Sequence, residues 1–341
     1  LSTYGKNITL TLFGESHGKG VGALITGLPA GEPVDEQSIA CAMNRRKRGG
    51  TYATPRKEPD AVNILSGIYN GHTTGAPLAL WIENKNQKSE DYENMPFRPG
   101  HADYTAHVKY NGFDDPRGGG YFSGRLTAPL TAAGDILIQI LNRRGITITS
   151  EITAVGGEKD GDNIKAKLEE AKQTQDSLGG TVDIAIKGVP KGIGGPRFQS
   201  LQSQLAAALY GVGAVKSVAF GSGEEASRKK GSEQNDPYYI EENNIRTKTN
   251  NAGGILGGIT NGEDILIHVA VKPTPSIGKT QHTVNRKGEA VDYAIQGRHD
   301  TAIVLRIPVA LESAAAFAIA DALVSAKGDI GFREMKREDT Q

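Results

Sequence analysis

The chain has 341 residues, a length that allows about two domains and is ample for a substantial buried core. Lysine plus arginine equals aspartate plus glutamate at 39 each, which argues against a general nucleic-acid or membrane-surface binder and requires any anion site to be built locally. Cys41 is the only cysteine, so an intramolecular disulfide and a thiolate metal cage are excluded, no metal site is expected, and a reducing cytoplasm is the compartment that suits the composition.

Apolar runs predict strands over Ile8–Phe13, Gly22–Gly27, Val62–Ile68, Pro77–Ile82, Ile146–Val155, Thr181–Ile186, Ser217–Phe220, Asp264–Val271 and Ala302–Ile307. Helical patterns cover Glu36–Arg46 behind an Asp35 cap, Pro129–Asn142 and Leu201–Tyr210 behind Ser200. An alanine-rich buried helix is expected over Glu312–Val324. No apolar run approaches the roughly 20 residues that span a bilayer, and the N-terminus reads as a polar lead into a strand. Strands and helices are grouped more than alternated, which favours an α+β layered fold over a doubly wound sheet. Three polar stretches, 49–60, 84–124 and 221–251, are long enough to be functional or mobile loops; the first two are expected to order around ligands and the third to be mobile without cofactor. The charged tail, residues 331–341, is expected to fray.

Gly14-Glu15-Ser16-His17-Gly18 sets a serine and a histidine on a glycine-framed turn after an apolar strand. Adjacent strand residues point to opposite faces, which speaks against a serine-hydrolase pair and for His17 as a general acid near a developing anion. A plain glycine-rich turn is the alternative. Arg98-Pro99-Gly100-His101-Ala102-Asp103 and Gly297-Arg298-His299-Asp300 each join an arginine, a histidine and a carboxylate. The basic run Arg45–Arg48 ends a predicted helix, where it is either a solvated face or, with Arg98, Arg117, Arg125 and Arg298, a pocket for a phosphate- and carboxylate-bearing anion. Gly118-Gly119-Gly120-Tyr121-Phe122-Ser123-Gly124-Arg125 offers backbone N–H groups to a phosphate, with aromatics that either cover a flavin face or pack into the core. Lys272-Pro273-Thr274-Pro275-Ser276 is a stiff, donor-bearing loop. Of seven histidines, His72, His107, His268 and His282 have no supporting motif.

These segments, with Leu65-Ser66-Gly67, Thr73-Thr74-Gly75, Ala252 to Gly258 and Lys272-Pro273-Thr274, resemble in order the signature segments of chorismate synthase. The resemblance implies a helical layer sandwiched between antiparallel sheets, and the spread of site segments from residue 17 to residue 300 favours one interlaced catalytic domain over residues 1–330. It implies conversion of 5-enolpyruvylshikimate 3-phosphate to chorismate and phosphate by 1,4-elimination, with reduced FMN and no net redox change. His17 would protonate the leaving phosphate, His101 the reduced FMN near N1, and Asp300 would relay deprotonation at substrate C6 through flavin N5, with Arg298 favouring its ionised form. Arg46 and Arg125 would contact substrate. Ser123, Gly213, Ala214, Gly257, Lys272, Pro273, Thr274, Pro275, Ser276 and Arg298 would bind FMN.

The chain departs from the commoner pattern at Thr51, where Arg48 is a candidate substitute, and at Tyr121 and Phe122, where an arginine and a serine are usual. No GxGxxG fingerprint is evident on a strand-turn-helix, so an external flavin reductant is expected. A homotetramer is the assembly that the family suggests. A flavin-dependent oxidoreductase and a non-catalytic flavin or anion binder are the two alternative functions.

Overall fold

A computed structural model of the protein describes residues 2–47, 52, 60–85, 95–295 and 300–334, with side chains to residue 326. Its first sheet holds β1 (Thr3–Tyr4), β2 (Thr9–Gly14), β3 (Gly20–Thr26), β4 (Asn63–Ser66) and β7 (Leu78–Glu83). They pair antiparallel in the order β1-β2-β3-β7-β4, and a small hairpin, β5 (Ile68–Tyr69) with β6 (His72–Thr73), fills the connection. One face is a row of fully buried side chains, Val21, Ala23, Ile25, Leu78, Leu80 and Ile82, as the period of two requires. On the other face Gly22 is paired with Phe13 on one side and Trp81 on the other, and the two rings stack across it at 6.1 Å. A Cβ at Gly22 would lie 2.2 Å from the Phe13 ring, so a side chain there is incompatible with the stack.

The second sheet contains β8 (Thr147–Val155), β9 (Gly180–Lys187), β10 (Val215–Phe220) and β15 (Ile265–Val271), antiparallel in the order β10-β15-β9-β8. Its buried face carries Val182, Ile184, Ile186, Ile265, Ile267 and Val269. Three hairpins decorate it: β11–β12 (Tyr238–Glu241 and Asn244–Thr247), β13–β14 (Ile255–Leu256 and Ile259–Thr260) and β16–β17 (Gln281–Val284 and Ala290–Tyr293).

Between the sheets lie α1 (Glu36–Lys47), α3 (Thr127–Asn142), α5 (Leu201–Tyr210) and α7 (Pro308–Glu334). Helix α3 touches β3 and β7 on one side and β8 on the other. The expected α+β sandwich is therefore present. Helices α3 and α7 approach so closely that a Cβ on Gly134 would sit 2.2 Å from Ser313 Cβ. Contrary to the expectation that no apolar run approaches membrane-spanning length, the window Pro308–Ala326 is long and apolar enough, with mean hydropathy 1.6, yet 83% of it is buried inside the molecule, where it acts as the core helix. Its buried Asp321 accepts from the backbone N–H groups of Lys6, Asn7 and Ile8, and thereby moors the start of β2.

Three further expectations need correction. The run Ala302–Ile307 is not a strand: Ile303–Leu305 form a 3-10 turn and Pro308 starts α7, a first-turn position suited to its fixed φ and missing N–H. Helices α2 (Asp103–Lys109) and α4 (Gly161–Gln173) had not been expected. The stretch 221–251 forms turns, the short helix α6 (Gly231–Gln234) and the β11–β12 hairpin.

Candidate active site

The glycine run after α2 forms the hinge of the site. Gly118 and Gly119 both have left-handed backbone, φ 60° and 83°, open to glycine at little steric cost. Each lies against a histidine ring: a Cβ on Gly118 would fall 2.2 Å from His17 Cε1, and one on Gly119 would fall 2.9 Å from His101 Cε1 and 3.1 Å from its Nε2. Consecutive Cα atoms are about 3.8 Å apart. The two histidines singled out from the sequence therefore meet on neighbouring residues of one loop, and the Ser16 N–H to Gly120 carbonyl bond, 3.1 Å, fixes the first turn to that loop. His17 is 3% exposed, which rules out the solvent-facing turn.

His101 is oriented from behind. Its Nδ1 lies 2.6 Å from Asp103 Oδ1 and 3.1 Å from Arg98 Nη2; the shorter contact, to a carboxylate that can only accept, puts the proton on Nδ1 and leaves Nε2 facing the hinge. Asp103 is itself gripped by Arg98, whose Nε and Nη2 each donate at 2.7 Å. Burial pushes the Asp103 carboxyl up, but the hydrogen bonds from Arg98 and His101 outweigh it and hold the group well below the usual carboxylate range. Arg98 also donates to Ser276 Oγ at 3.1 Å, and Lys272 Nζ donates to the Gly100 carbonyl, so the proline-rich loop is laced to the His101 segment. Ala214 accepts from the Lys272 N–H at 2.9 Å, which brings Gly213 and Ala214 beside that loop. Burial lowers the Lys272 pKa, and the charge of Lys216 lowers it further.

A second cluster lies at the end of α1. Arg46 is buried; its Nε donates to Thr127 Oγ1 at 2.9 Å, its Nη2 to the Gly124 carbonyl at 3.2 Å, and its Nη1 reaches Asp60 Oδ2 at 3.5 Å. Arg125 shares the same carboxylate through Nη1 and donates from Nε to Asn84 Oδ1 at 3.0 Å. Asn84 in turn donates to the Glu15 and Gly18 carbonyls at 3.0 and 2.9 Å, which ties the His17 turn to Arg125. On the other side Arg306 donates from Nε to the Arg46 carbonyl at 3.2 Å and from Nη1 to both oxygens of Asp300 at 3.0 and 3.1 Å. The polar chain thus runs from His17 to Asp300. Among the described residues the cluster has four cations, Arg46, Lys47, Arg125 and Arg306, against two carboxylates, Asp60 and Asp300. Burial, then repulsion from Arg306, pushes the Arg46 pKa down to about 10, still far above neutrality. Guanidinium groups gathered in this way suit the binding of an anion.

Other expectations fare differently. Arg98 and Arg117 are not open anion donors, since Asp103 and Asp115 occupy their guanidinium forks. Arg45 pairs with Glu312 at 2.8 Å, so the basic run is divided between a half-exposed Arg45 and an inward Arg46. Ser123 caps the turn that carries Arg125 by accepting its N–H at 3.2 Å. Tyr121 turns its hydroxyl to the Leu12 carbonyl at 3.1 Å, and Phe122 stays 43% exposed beside Tyr110 rather than packing into the core. Both rings line a cavity of about 560 Å³ that also borders Gly119 and Asp103. Gly257 stands apart. Its turn is joined through Gly258 to Leu201 at the start of α5, whereas Ala214 follows the end of that helix, about 15 Å away. Arg48, Thr51, Gly297, Arg298 and His299 lie outside the described residues. No cluster of metal-ligating side chains occurs among the described residues.

A family model for chorismate synthase matches residues 8–324. The chain belongs to the chorismate synthase family. It is 46% identical to the chorismate synthase of Chitinophaga pinensis over 324 residues, 94% of this chain and 96% of that one. It is 42% identical to the chorismate synthase of Pyrococcus abyssi over 344 residues, covering 94% and 97%. A solved crystal structure of chorismate synthase superposes with a TM-score of 0.77 at 28% identity, covering 97% of this chain and 96% of that one. Three residues of this polar cluster were not found from the sequence. Asp60, Asn84 and Arg306 carry no motif of their own, and only their convergence on Arg46, Arg125 and Asp300 gives them away.

Proposed function

We infer that this member of the chorismate synthase family converts 5-enolpyruvylshikimate 3-phosphate to chorismate and phosphate by 1,4-elimination in the shikimate pathway, as a carbon–oxygen lyase. The observation that carries the reading at residue level is the meeting of His17 and His101 on Gly118 and Gly119. His17 donates a proton to the phosphate oxygen as the carbon–oxygen bond breaks, a role that suits a buried histidine near Asp115. Asp103 holds His101 with Nε2 toward the same hinge, ready to donate or accept one proton. Asp300, fixed by Arg306, takes up the proton removed from the substrate, and Arg46 and Arg125 bind its anionic groups.

Reduced FMN is the implied cofactor, and when bound it supplies transient electron density to the elimination with no net redox change. The residues fit it. Thr274 Oγ1 is buried and makes no hydrogen bond among the described residues, Lys272 is a cation next to it, and Ser276, Pro273 and Pro275 shape the loop. Gly213, Ala214 and Ser123 join this set, with Arg298; Gly257 would have to reach the cofactor from a second copy, and the homotetramer that the family implies supplies one. We place the protein in the cytoplasm, with residues 1–330 as one catalytic domain followed by a tail, and with an external flavin reductant as its partner.

The test is His17→Ala beside His72→Ala, whose exposed ring hydrogen-bonds the Asn70 carbonyl. Phosphate release with anaerobically reduced FMN should fall about 10²–10⁴-fold in the first and stay unchanged in the second, with FMN binding retained in both. Equal rates in the two variants would remove His17 from the chemistry.

A further inference from the structure

We propose that Asp60 is the positioning residue of the substrate's anion site, a built-in counter-ion that holds the Arg46 and Arg125 guanidiniums side by side before any ligand arrives. The inference rests on the reading of that cluster as the site for the anionic groups of the substrate. The two arginine side chains are each 8% exposed and repel one another, and Lys47 approaches the same carboxylate at 3.9 Å. Left alone, flexible cationic side chains in this arrangement would separate toward water. Asp60 prevents that from a position 3% exposed, with one oxygen on Arg125 Nη1 and the other on Arg46 Nη1. Further anchors among the described residues support the pair: Thr127 and Gly124 on Arg46, and Asn84 and the Glu83 carbonyl, at 3.3 Å, on Arg125.

The backbone lets the charge be tested apart from the turn. Asp60 has φ 47°, in the left-handed region that glycine occupies freely and that aspartate and asparagine tolerate better than other side chains. Asparagine would suit that backbone equally well and would keep one acceptor for Arg125, so Asp60→Asn removes the charge while sparing the conformation. Two outcomes compete. If Asp60 merely fills space, one more net positive charge tightens anion binding; if it organises the guanidiniums, the binding face is lost although the charge has risen. A binding face that is assembled in advance avoids the cost of ordering two long side chains when the ligand docks.

The experiment measures KM and kcat for the substrate, and the inhibition constant of inorganic phosphate, in the wild type, Asp60→Asn and Asp60→Glu, all with reduced FMN. In Asp60→Asn, KM and the phosphate constant should rise together, about tenfold or more, with kcat at saturation changed far less. Asp60→Glu keeps the charge one methylene out of place and should show a smaller rise in both. Unchanged or tighter phosphate binding in a folded Asp60→Asn protein would overturn the proposal. If that variant does not fold, an unchanged phosphate constant in Asp60→Glu would do so instead. A wild type that neither turns over substrate nor binds phosphate would sink the reading of the site itself, a result distinct from failure of Asp60's role.

Discussion

Gly118→Ala tests the histidine hinge with a single methyl group. The new Cβ would lie 2.2 Å from His17 Cε1, 2.3 Å from its Nδ1 and 2.9 Å from Ser16 Oγ. Ordinary contact begins near 3.4 Å, so the ring must recede by about 1.2 Å or the loop must open by as much. The left-handed backbone at φ 60° adds about 1–2 kcal/mol for any L side chain. In stability that is modest, a fall in melting temperature of about 4 °C or less for a protein of this size. For catalysis a misplacement of about 1 Å costs on the order of 10²-fold. Phosphate release with anaerobically reduced FMN should therefore fall about 10²-fold while the protein stays folded and binds FMN. Gly161→Ala is the control, at the exposed start of α4 with no atom within 4 Å of its Cβ position. Full turnover in Gly118→Ala would show that the His17 ring does not need its place against the hinge.

Asp103→Asn should lower kcat more than it raises KM, because His101 loses the carboxylate that fixes its Nδ1 proton, and a pH–rate profile of the variant checks it. In the folded wild type the Asp103 pKa is depressed below its ordinary 3.8, so its contribution to stability is present above that pH and is lost as pH falls below it. Acid unfolding followed by circular dichroism should accordingly be less steep in Asp103→Asn. Asp300→Asn should retain FMN and fold but slow phosphate release, and Arg306→Gln should reproduce part of that loss; wild-type rates in both would detach the pair from the reaction. Gly134→Ala should destabilise by about 1–3 kcal/mol despite alanine's better helix propensity, since its Cβ would stand 2.2 Å from Ser313 Cβ; a raised melting temperature would contradict the close packing of α3 on α7.

The sheets and the core helices were legible because burial imposes its period on the sequence. Leu78, Leu80 and Ile82 alternate inward, and Leu201–Tyr210 appears where Ser200 caps it. Helix α4 was legible too but went unread: Asp160 accepts from the Asp162 and Asn163 N–H groups, and Leu168 and Ala171 are its buried residues on a polar background. The run Ala302–Ile307 misled because a short apolar segment looks alike as a strand or as buried lead-in to a helix. In the site, motifs gave His17, His101, Arg46 and Asp300, which stand in glycine-rich or charged signatures. Asp60, Asn84 and Arg306 were hidden because their roles are long-range contacts: Arg125 lies 65 residues from Asp60 and 41 from Asn84. The anion pocket drawn from arginines alone was too generous for the opposite reason, since carboxylates only five and two residues away claim Arg98 and Arg117.

The most direct measurement of the central claim is phosphate released per flavin, with the flavin's absorbance followed through the reaction. Substrate in large excess over FMN reduced by dithionite under anaerobic conditions should give many phosphates per flavin, with one chorismate for each, and the flavin should remain reduced at the end; oxidised FMN in air should give none. Phosphate limited to one per flavin with the flavin left oxidised, or equal release with oxidised FMN, would contradict the account.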